Sequence, residues 1–202
     1  KLLDAIDHYA LNRAFNSLEE SNITLLVIDA TKELSHFDAR IAGYAMEFNK
    51  PIILVINKWD LIEDKNTNTI NEFTKRILKE FKFISWSPII FISVLKDQRI
   101  QKLKDLIITV KNNLERKIKT SLLNEVILEA QQMQPAPTFK GKRLVITYIK
   151  QIDAKIPTFL LTVNDTKSLH FSYKRYIENQ IRENFDFTGT PINLIFKNKN
   201  EK

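Results

Sequence analysis

Three short apolar runs, each preceded or followed by an amphipathic segment, set the pattern of the first 120 residues. Residues 23–29, 51–57 and 88–93 consist almost entirely of apolar side chains rich in Ile, a pattern typical of parallel strands that are covered on both faces. Apolar residues recur at helical spacing in four other segments, at residues 6–18, 36–48, 69–81 and 100–118. Strands alternating with helices of this length predict an α/β fold, a doubly wound parallel sheet.

The pattern changes near residue 120, and Pro135 and Pro137 interrupt the chain soon afterwards. Helix, strand, strand, helix and strand are predicted in turn, at residues 121–133, 143–151, 157–164, 172–184 and 192–196. Ser172 is the predicted N-cap of the second of these helices. The order α-β-β-α-β predicts a small, separate α+β domain. We therefore expect one domain at residues 1–119 and another at residues 120–202.

Composition narrows the classes of protein that fit. The chain has 202 residues, 44% of them hydrophobic, which suffices for one or two buried cores. It has no Cys, so we expect no disulfide and no thiolate metal site, in keeping with a cytoplasmic protein. The longest apolar runs fall far short of the ~20 residues that span a bilayer. The three His residues are far apart in sequence, so no zinc site is expected.

The net charge of +7 favours polyanionic partners such as RNA. The excess is spread along the chain. Lys and Arg outnumber Asp and Glu by 12 to 8 from residue 121 onward, which leaves 19 to 16 before it. Neither part is a polycation, and a soluble basic protein without such a partner is the alternative explanation.

Directly after the second predicted strand stands Asn57-Lys58-Trp59-Asp60, the NKxD pattern by which P-loop GTPases recognise guanine. The Asp60 carboxylate can accept two hydrogen bonds from the ring N–H and the exocyclic amine of guanine, a donor pair that adenine lacks. The stem of Lys58 can lie over one ring face, and the Asn57 amide can tie neighbouring loops together. A solvated loop with incidental charges is the alternative.

The next predicted strand ends in Ser93 and Val94, at the position where the same GTPases carry a Ser-Ala step. The backbone N–H groups of that step meet the guanine oxygen. Ligand sites of doubly wound sheets lie at the carboxyl ends of the strands. The sequence therefore predicts one guanine pocket, formed by Asn57, Lys58, Asp60, Ser93 and Val94.

The chain resembles the C-terminal part of the Der (EngA) family of bacterial double-GTPases. In its first half the resemblance rests on ITLLVIDAT (23–31), RIAGYA (40–45), PIILVINKWDL (51–61) and SPIIFISVL (87–95). In its second half it rests on PAPTFKGKRL (135–144), IPTFLLTVND (156–165), HFSYKRYIENQIRENF (170–185) and GTPI (189–192). The resemblance implies the second half of the second, repeated GTPase domain followed by a KH-like domain.

The same resemblance implies several properties of the whole protein. GTP or GDP is the expected ligand, and only its guanine end would contact this chain. Mg²⁺ is expected only in the full-length protein. The implied role is ribosome biogenesis, in the maturation of the large ribosomal subunit. Ribosomal RNA is then the expected partner, with neither DNA nor a membrane.

The sequence offers no P-loop. A P-loop needs glycines where backbone N–H groups surround the phosphates, and the chain has only Gly43, Gly141 and Gly189. Gly141 precedes a Lys, but Arg143 then stands where a magnesium-binding Ser or Thr is needed. We expect the P-loop and both switches to lie upstream. This chain alone is then inactive in GTP hydrolysis, with no catalytic residue and no metal ligand of its own.

Asp186 and Asp29 could each be taken for a magnesium-binding residue, but the sequence favours a structural role for both. Residues 186–189 match the DxxG pattern of a magnesium and switch region, but they precede a strand of the second domain, so we interpret them as a turn. Asp29 ends a predicted strand and is interpreted as structural. That strand, at residues 23–29, is expected to have an unpaired edge.

RNA contacts in the second domain are less well defined. KH domains hold RNA with a GXXG loop, and this sequence has none. Basic residues interleave with aromatic ones, and the candidate RNA contacts are Lys140, Lys142, Arg143, Lys150, Lys174 and Arg175. Alternatively, Tyr176 and Ile177 are core residues and the lysines form a solvated face. Two functions therefore remain open: part of a GTPase, or an RNA- or ribosome-binding module without nucleotide activity.

Overall fold

The computed structural model describes residues 13–139 and 141–199, which form two compact units. The first unit comprises the chain up to Asn112 together with Thr188–Pro191. The second comprises Asn113–Phe187 and the chain from Ile192 onward. The predicted boundary between residues 119 and 120 thus lies seven residues beyond the division at Asn112. The short segment at 188–191 groups with the first unit, which the sequence did not predict.

The first unit is an α/β structure with a three-stranded parallel sheet in the order β1-β2-β3. Its helices are α1 (residues 13–20 within the described chain), α2 (His36–Glu47), α3 (Thr69–Glu80) and α4 (Ile100–Leu114). Its strands are β1 (Thr24–Asp29), β2 (Ile52–Asn57) and β3 (Ile89–Phe91), and 3₁₀ turns lie at Trp59–Leu61 and Lys82–Ile84. The predicted α/β fold class is confirmed.

Strand β2 is apolar from Ile52 to Ile56 because both of its faces are covered. Ile52, Leu54 and Ile56 belong to a core with residues of α2 and α3, whereas Ile53 and Val55 belong to a second core that includes Val110 of α4. All five β2 side chains are buried. Burial of each such side chain contributes about 1.5–3 kcal/mol, so β2 fixes the centre of the sheet.

Within the described residues, strand β1 is an edge strand that pairs with β2 alone. Its side chains alternate between buried and exposed, and Leu25 and Val27 are 38% and 57% exposed. By register they share a sheet face with Ile53 and Val55 of β2. An edge with exposed apolar side chains is open to pairing with another strand.

The segment 188–191, which belongs to the first unit, requires a glycine at position 189. Its N–H donates to the Trp86 carbonyl and its carbonyl accepts from the Ile52 N–H, both at 2.9 Å. Its φ is +73°, and a Cβ at this position would collide with the side chain of Val110. Both constraints select glycine, and the turn predicted at 186–189 is present.

The second unit has a three-stranded sheet in the order β6-β7-β8, with β6 and β7 antiparallel and β7 and β8 parallel. Its elements are α5 (Thr120–Met133), β4 (Thr138–Phe139), β5 (Lys142–Arg143), β6 (Ile146–Ile152), β7 (Thr158–Val163), a 3₁₀ turn (Thr166–Ser168), α6 (Phe171–Asn184) and β8 (Asn193–Asn198). The strand predicted at 143–151 is divided, because residues 142–143 pair with β4 instead.

The end of helix α4 and the N-cap of helix α6 differ from the prediction. Helix α4 ends at Leu114 rather than residue 118, because the Gln151 side chain bonds the Arg116 carbonyl and the Ile118 N–H, at 2.8 Å each. The prediction of Ser172 as N-cap is wrong. Helix α6 is capped by His170, whose Nδ1 accepts the Ser172 N–H at 3.3 Å.

Helix α5 closes the free edge of β6 with two side-chain amides. Asn124 accepts the Ile149 N–H at 3.0 Å and donates to its carbonyl at 2.8 Å. Gln131 does the same for Ile146, at 2.7 and 3.0 Å. The two amides thereby satisfy backbone groups that another strand would otherwise pair with.

Candidate guanine-nucleotide site

The residues predicted to form the guanine pocket lie together in the structure. They line one cavity of about 420 Å³, to which two further apolar residues contribute. The residues that line it are Asn57, Lys58, Asp60, Leu61, Ser93, Val94 and Leu95. The cavity lies where β2 and β3 end, because the carboxyl ends of parallel strands meet at one edge of a sheet. Leu61 and Leu95 were not predicted, although each directly follows a predicted residue.

Asp60 lies in the 3₁₀ turn after β2, and the two residues before it fix its position. Lys58 adopts a left-handed conformation with φ 62°, which turns the chain sharply after Asn57. Trp59 is buried edge-to-face against Phe73 and Phe91. These two features fix the backbone that carries Asp60. Within the described residues no hydrogen-bond donor or cation contacts its carboxylate, so both oxygens are available to a ligand.

Asn57 links the two loops of the site. Its Oδ1 accepts the backbone N–H of Val94 at 3.2 Å, across 37 residues of sequence. A guanine oxygen that bonds the Val94 N–H would therefore share this donor with Asn57. The amide thus holds the loop after β3 against the loop after β2.

The loop after β3 is closed by its own hydrogen bonds. Ser93 is fully buried, exchanges two backbone bonds with Gln98, and accepts the Lys96 N–H on its Oγ at 3.1 Å. These bonds leave Val94 and Leu95 on the outside of the loop, both exposed. Ser93 therefore acts as the anchor of the loop in this structure, and Val94 and Leu95 offer the accessible surface.

Lys58 is tied to a residue outside the predicted site. Its Nζ donates to Asp29 Oδ2 at 2.7 Å, and Asp29 Oδ1 accepts the Thr31 N–H and hydroxyl at 3.0 and 2.7 Å. The bond from Lys58, followed by those from Thr31, holds the pKa of Asp29 well below its usual range. Asp29 and Asn57 are register partners at the ends of β1 and β2. Aligning the two predicted strands at their ends would have placed Asp29 beside Lys58.

The candidate RNA contacts are spread over three elements of the second unit. Lys142 and Arg143 are on β5, Lys150 is on β6, and Lys174 and Arg175 are on α6; all five are exposed. Lys140 lies outside the described residues. Lys142 is 3.7 Å from Asp165 in an ion pair. The alternative expectation was that Tyr176 and Ile177 of α6 are core residues. Ile177 is fully buried and Tyr176 packs against the same core.

In the described part of the chain, no three His, Asp or Glu side chains are grouped so that they could hold a metal ion. Over the same residues, no helix combines the length and the apolar character needed to cross a membrane.

Comparisons with known proteins agree with both units. The model of the elongation factor Tu GTP-binding domain matches residues 9–113, and that of the KH-domain-like C-terminal domain of EngA bacterial GTPase enzymes matches residues 117–197. GTPase Der of Mycoplasmopsis pulmonis is 58% identical over 197 residues, covering 98% of this chain and 45% of the relative. GTPase Der of Alkaliphilus oremlandii is 46% identical over 199 residues, with the same coverage of each.

Among solved structures, Era in complex with MgGDPNP and nucleotides 1506–1542 of 16S ribosomal RNA aligns with 95% of this chain and 69% of its own. The identity is 22% and the TM-score 0.43. The fold, the site and the family models together define a GTP-binding domain joined to a KH-like domain. The chain belongs to the Der (EngA) family of bacterial GTPases. It spans about 45% of the length of these curated relatives.

Proposed function

We propose that the first unit supplies the guanine-recognising part of a GTP-binding site. The observation that carries this proposal is the convergence of Asp60, Asn57 and Val94 on one cavity, with no described group bonded to the Asp60 carboxylate. In the bound state the carboxylate accepts the ring N–H and the exocyclic amine of guanine. Adenine lacks this donor pair and would leave the carboxylate unpaired, which a recessed site penalises strongly.

The apolar residues of the cavity complete the base site. Leu61 and Leu95 are exposed in the structure, and a purine ring between them would remove part of their surface from water. Lys58 keeps its ammonium group at Asp29, which leaves the aliphatic stem to contact one ring face. The base is then held by one charged acceptor and by apolar contacts on its faces.

GTP hydrolysis is proposed for the full-length protein, with Mg²⁺ and the P-loop supplied by residues upstream of this chain. Membership of a GTPase family supports the activity, and the three glycines of this sequence do not form a phosphate-binding loop. We therefore expect this chain alone to bind guanine weakly and not to hydrolyse GTP.

The site can be tested directly on this chain by two-dimensional ¹H–¹⁵N NMR. Titration with guanosine monophosphate should shift the amide signals of Asn57, Leu61 and Val94, whereas adenosine monophosphate should leave them unchanged. Asp60→Ala should abolish the guanine-dependent shifts. Glu63→Ala, at an exposed carboxylate three residues away, is the matched control and should keep them. Equal shifts with both nucleotides would contradict base recognition at this cavity.

A second proposed function concerns the second unit, which we infer binds ribosomal RNA during maturation of the large ribosomal subunit. The match to a KH-like family over residues 117–197 and five exposed basic residues on β5, β6 and α6 support it. Phosphate contacts make affinity fall steeply with added salt. The slope of log K against log[salt] should shrink by about one for each of these basic residues that is removed, which would support these contacts. A slope unchanged by every such removal would contradict them.

A further inference from the structure

Lys58 of the candidate guanine site has a side chain that must be ordered before it can contact a base. Its backbone is in the left-handed conformation, with φ 62°, and its side chain is 51% exposed. An exposed lysine on its flexible stem ordinarily samples many rotamers. A base that needs the stem on its ring face would have to order that stem on binding, and such ordering lowers the affinity.

Asp29 supplies the group that orders Lys58. Its side chain is 19% exposed, and its Oδ2 accepts a bond from the Lys58 ammonium group at 2.7 Å. Its Oδ1 accepts the Thr31 N–H at 3.0 Å and the Thr31 hydroxyl at 2.7 Å. The bonds from Thr31 fix the rotation of the carboxylate, so the second oxygen faces Lys58. A hydrogen bond between two charged groups is roughly twice as strong as one between neutral groups.

The end of β1 also holds the backbone that leads to Lys58. Asp29 and Asn57 are register partners at the ends of β1 and β2, and the Ala30 N–H donates to the Asn57 carbonyl at 2.9 Å. That carbonyl belongs to the peptide bond that joins Asn57 to Lys58. Asp29 and the residue after it therefore fix the peptide bond before Lys58 and the ammonium group at the end of its side chain.

Asp29 reaches the guanine site only through Lys58. The described residues that line the cavity of about 420 Å³ do not include it, so it contacts no base held there. Both of its oxygens already accept hydrogen bonds from the first unit. Asp60 is the opposite case, because no donor or cation among the described residues contacts its carboxylate. An unoccupied carboxylate two residues from Lys58 is a competing acceptor for the same ammonium group.

We propose that Asp29, oriented by Thr31, is a positioning residue of the guanine site. It holds the Lys58 ammonium group away from the Asp60 carboxylate, which stays available to the base, and it keeps the Lys58 stem ready for one ring face. Loss of Asp29 frees the ammonium group, which then pairs with Asp60 and competes with guanine. The proposal rests on the guanine recognition proposed for the first unit and assigns a further residue to it.

The test measures the dissociation constant of guanosine monophosphate for this chain, from the ¹H–¹⁵N NMR shifts of Leu61 and Val94 during a titration. Asp29→Asn keeps an amide oxygen for the bonds from Thr31 and turns its NH₂ group toward Lys58, which cannot bond to it. The dissociation constant should rise about 3- to 10-fold, within the range measured for coupled neighbouring residues.

A double-mutant cycle with Lys58→Met shows whether Asp29 acts through Lys58. Methionine keeps an unbranched apolar stem and has no ammonium group to release. In the Lys58→Met chain, Asp29→Asn should therefore weaken binding by less than about 2-fold, as expected for uncoupled sites. A general loss of stability would weaken binding equally with and without Lys58→Met, so the cycle separates positioning from a merely structural role.

Two sets of control variants address charge and the role of Thr31. Asp38→Asn removes the same charge from the same unit, at a carboxylate that accepts its bonds from Ser35 at the start of α2. It should leave the affinity unchanged. Thr31→Val removes one of the bonds that orient Asp29 and should weaken binding less than Asp29→Asn. Thr31→Ser keeps the hydroxyl and should match the unchanged chain.

The outcomes distinguish the role of Asp29 from the recognition on which it rests. If guanosine monophosphate shifts no signal of the unchanged chain, both guanine recognition and the positioning role are wrong. If it binds and Asp29→Asn leaves the affinity unchanged, guanine recognition stands and the positioning role is wrong. Equal losses from Asp29→Asn with and without Lys58→Met would also overturn the positioning role.

Discussion

Asp29 Oδ2 lies 2.7 Å from Lys58 Nζ, so an ion pair joins the ends of β1 and β2 beside the candidate guanine site. Lys58 is also the residue with φ 62° that turns the chain toward Asp60. The ion pair therefore fixes the side chain of a residue whose backbone is in the strained left-handed conformation. Asp29 thereby positions Lys58 and contributes to the site without contacting the base.

The pH dependence of Asp29 tests this pair. Its folded pKa lies below the ordinary aspartate value of about 4, so the pair contributes stability above that pH. This contribution is lost as the pH falls below 4 toward the depressed pKa. Carboxyl ¹³C NMR should show Asp29 titrating below the other aspartates, and Lys58→Met should move its pKa upward. An Asp29 that titrates in the ordinary range would contradict the ion pair.

Tyr173→Phe should stabilise the second unit. At neutral pH the expected gain is about 1 kcal/mol, because the substitution removes an unpaired buried hydroxyl. Burial, and secondarily Tyr176, raise the pKa of Tyr173 to about 12. As the pH rises from 10 through 12, the hydroxyl ionises in the unfolded chain but not in the folded unit, which lowers the stability of the Tyr173 protein. The advantage of Phe should therefore grow over that range. Urea unfolding followed by circular dichroism measures both effects. An advantage that stays constant would contradict the raised pKa.

Gly189→Ala should destabilise the first unit by about 2–5 kcal/mol. The left-handed conformation costs alanine about 1–2 kcal/mol, and the collision with Val110 adds about 1–3 kcal/mol. Both tryptophans, Trp59 and Trp86, are in this unit, so their fluorescence in urea reports its unfolding. Gly43→Ala, in the open surroundings of α2, is the control and should stabilise by about 0.5–1 kcal/mol. Equal effects would place the Gly189 constraint in doubt.

The side-chain amides of Asn124 and Gln131 on α5, which bond the edge of β6, should contribute more to stability than an exposed amide beside them. Asn124→Ala and Gln131→Ala should each cost about 1–3 kcal/mol, because each leaves an N–H and a carbonyl of β6 without their partner. Hydrogen exchange at the Ile149 and Ile146 amides should accelerate accordingly. Gln132→Ala, the exposed neighbour of Gln131, should change stability by less than about 0.5 kcal/mol. Similar losses in all three variants would contradict edge protection by these amides.

The elements that the sequence predicted well are those with strong local patterns. Strand β2 is apolar from Ile52 to Ile56 because both of its faces are buried there, and its end at Asn57 places the NKxD residues. Helix α3 was predicted within one residue of its end at Glu80. The candidate guanine-site residues lie at or just after the ends of β2 and β3, so their shared cavity could be predicted from the order of the strands.

The features that escaped prediction depend on partners distant in sequence. Asp29 meets Lys58 across 29 residues, and Gln151 ends helix α4 by bonding residues more than 30 positions earlier. The β4–β5 hairpin has two residues in each strand, too few to show a period. None of these contacts leaves a local signal.

The most direct test of the proposed guanine site replaces Asp60 in the full-length protein. Xanthine carries an oxygen where guanine carries its amine, so Asp60→Asn should reject guanine and accept xanthine. Isothermal titration calorimetry should show one GDP site lost and one xanthosine diphosphate site gained per chain. Unchanged GDP stoichiometry and affinity, with no binding of xanthosine diphosphate, would show that Asp60 does not choose the base.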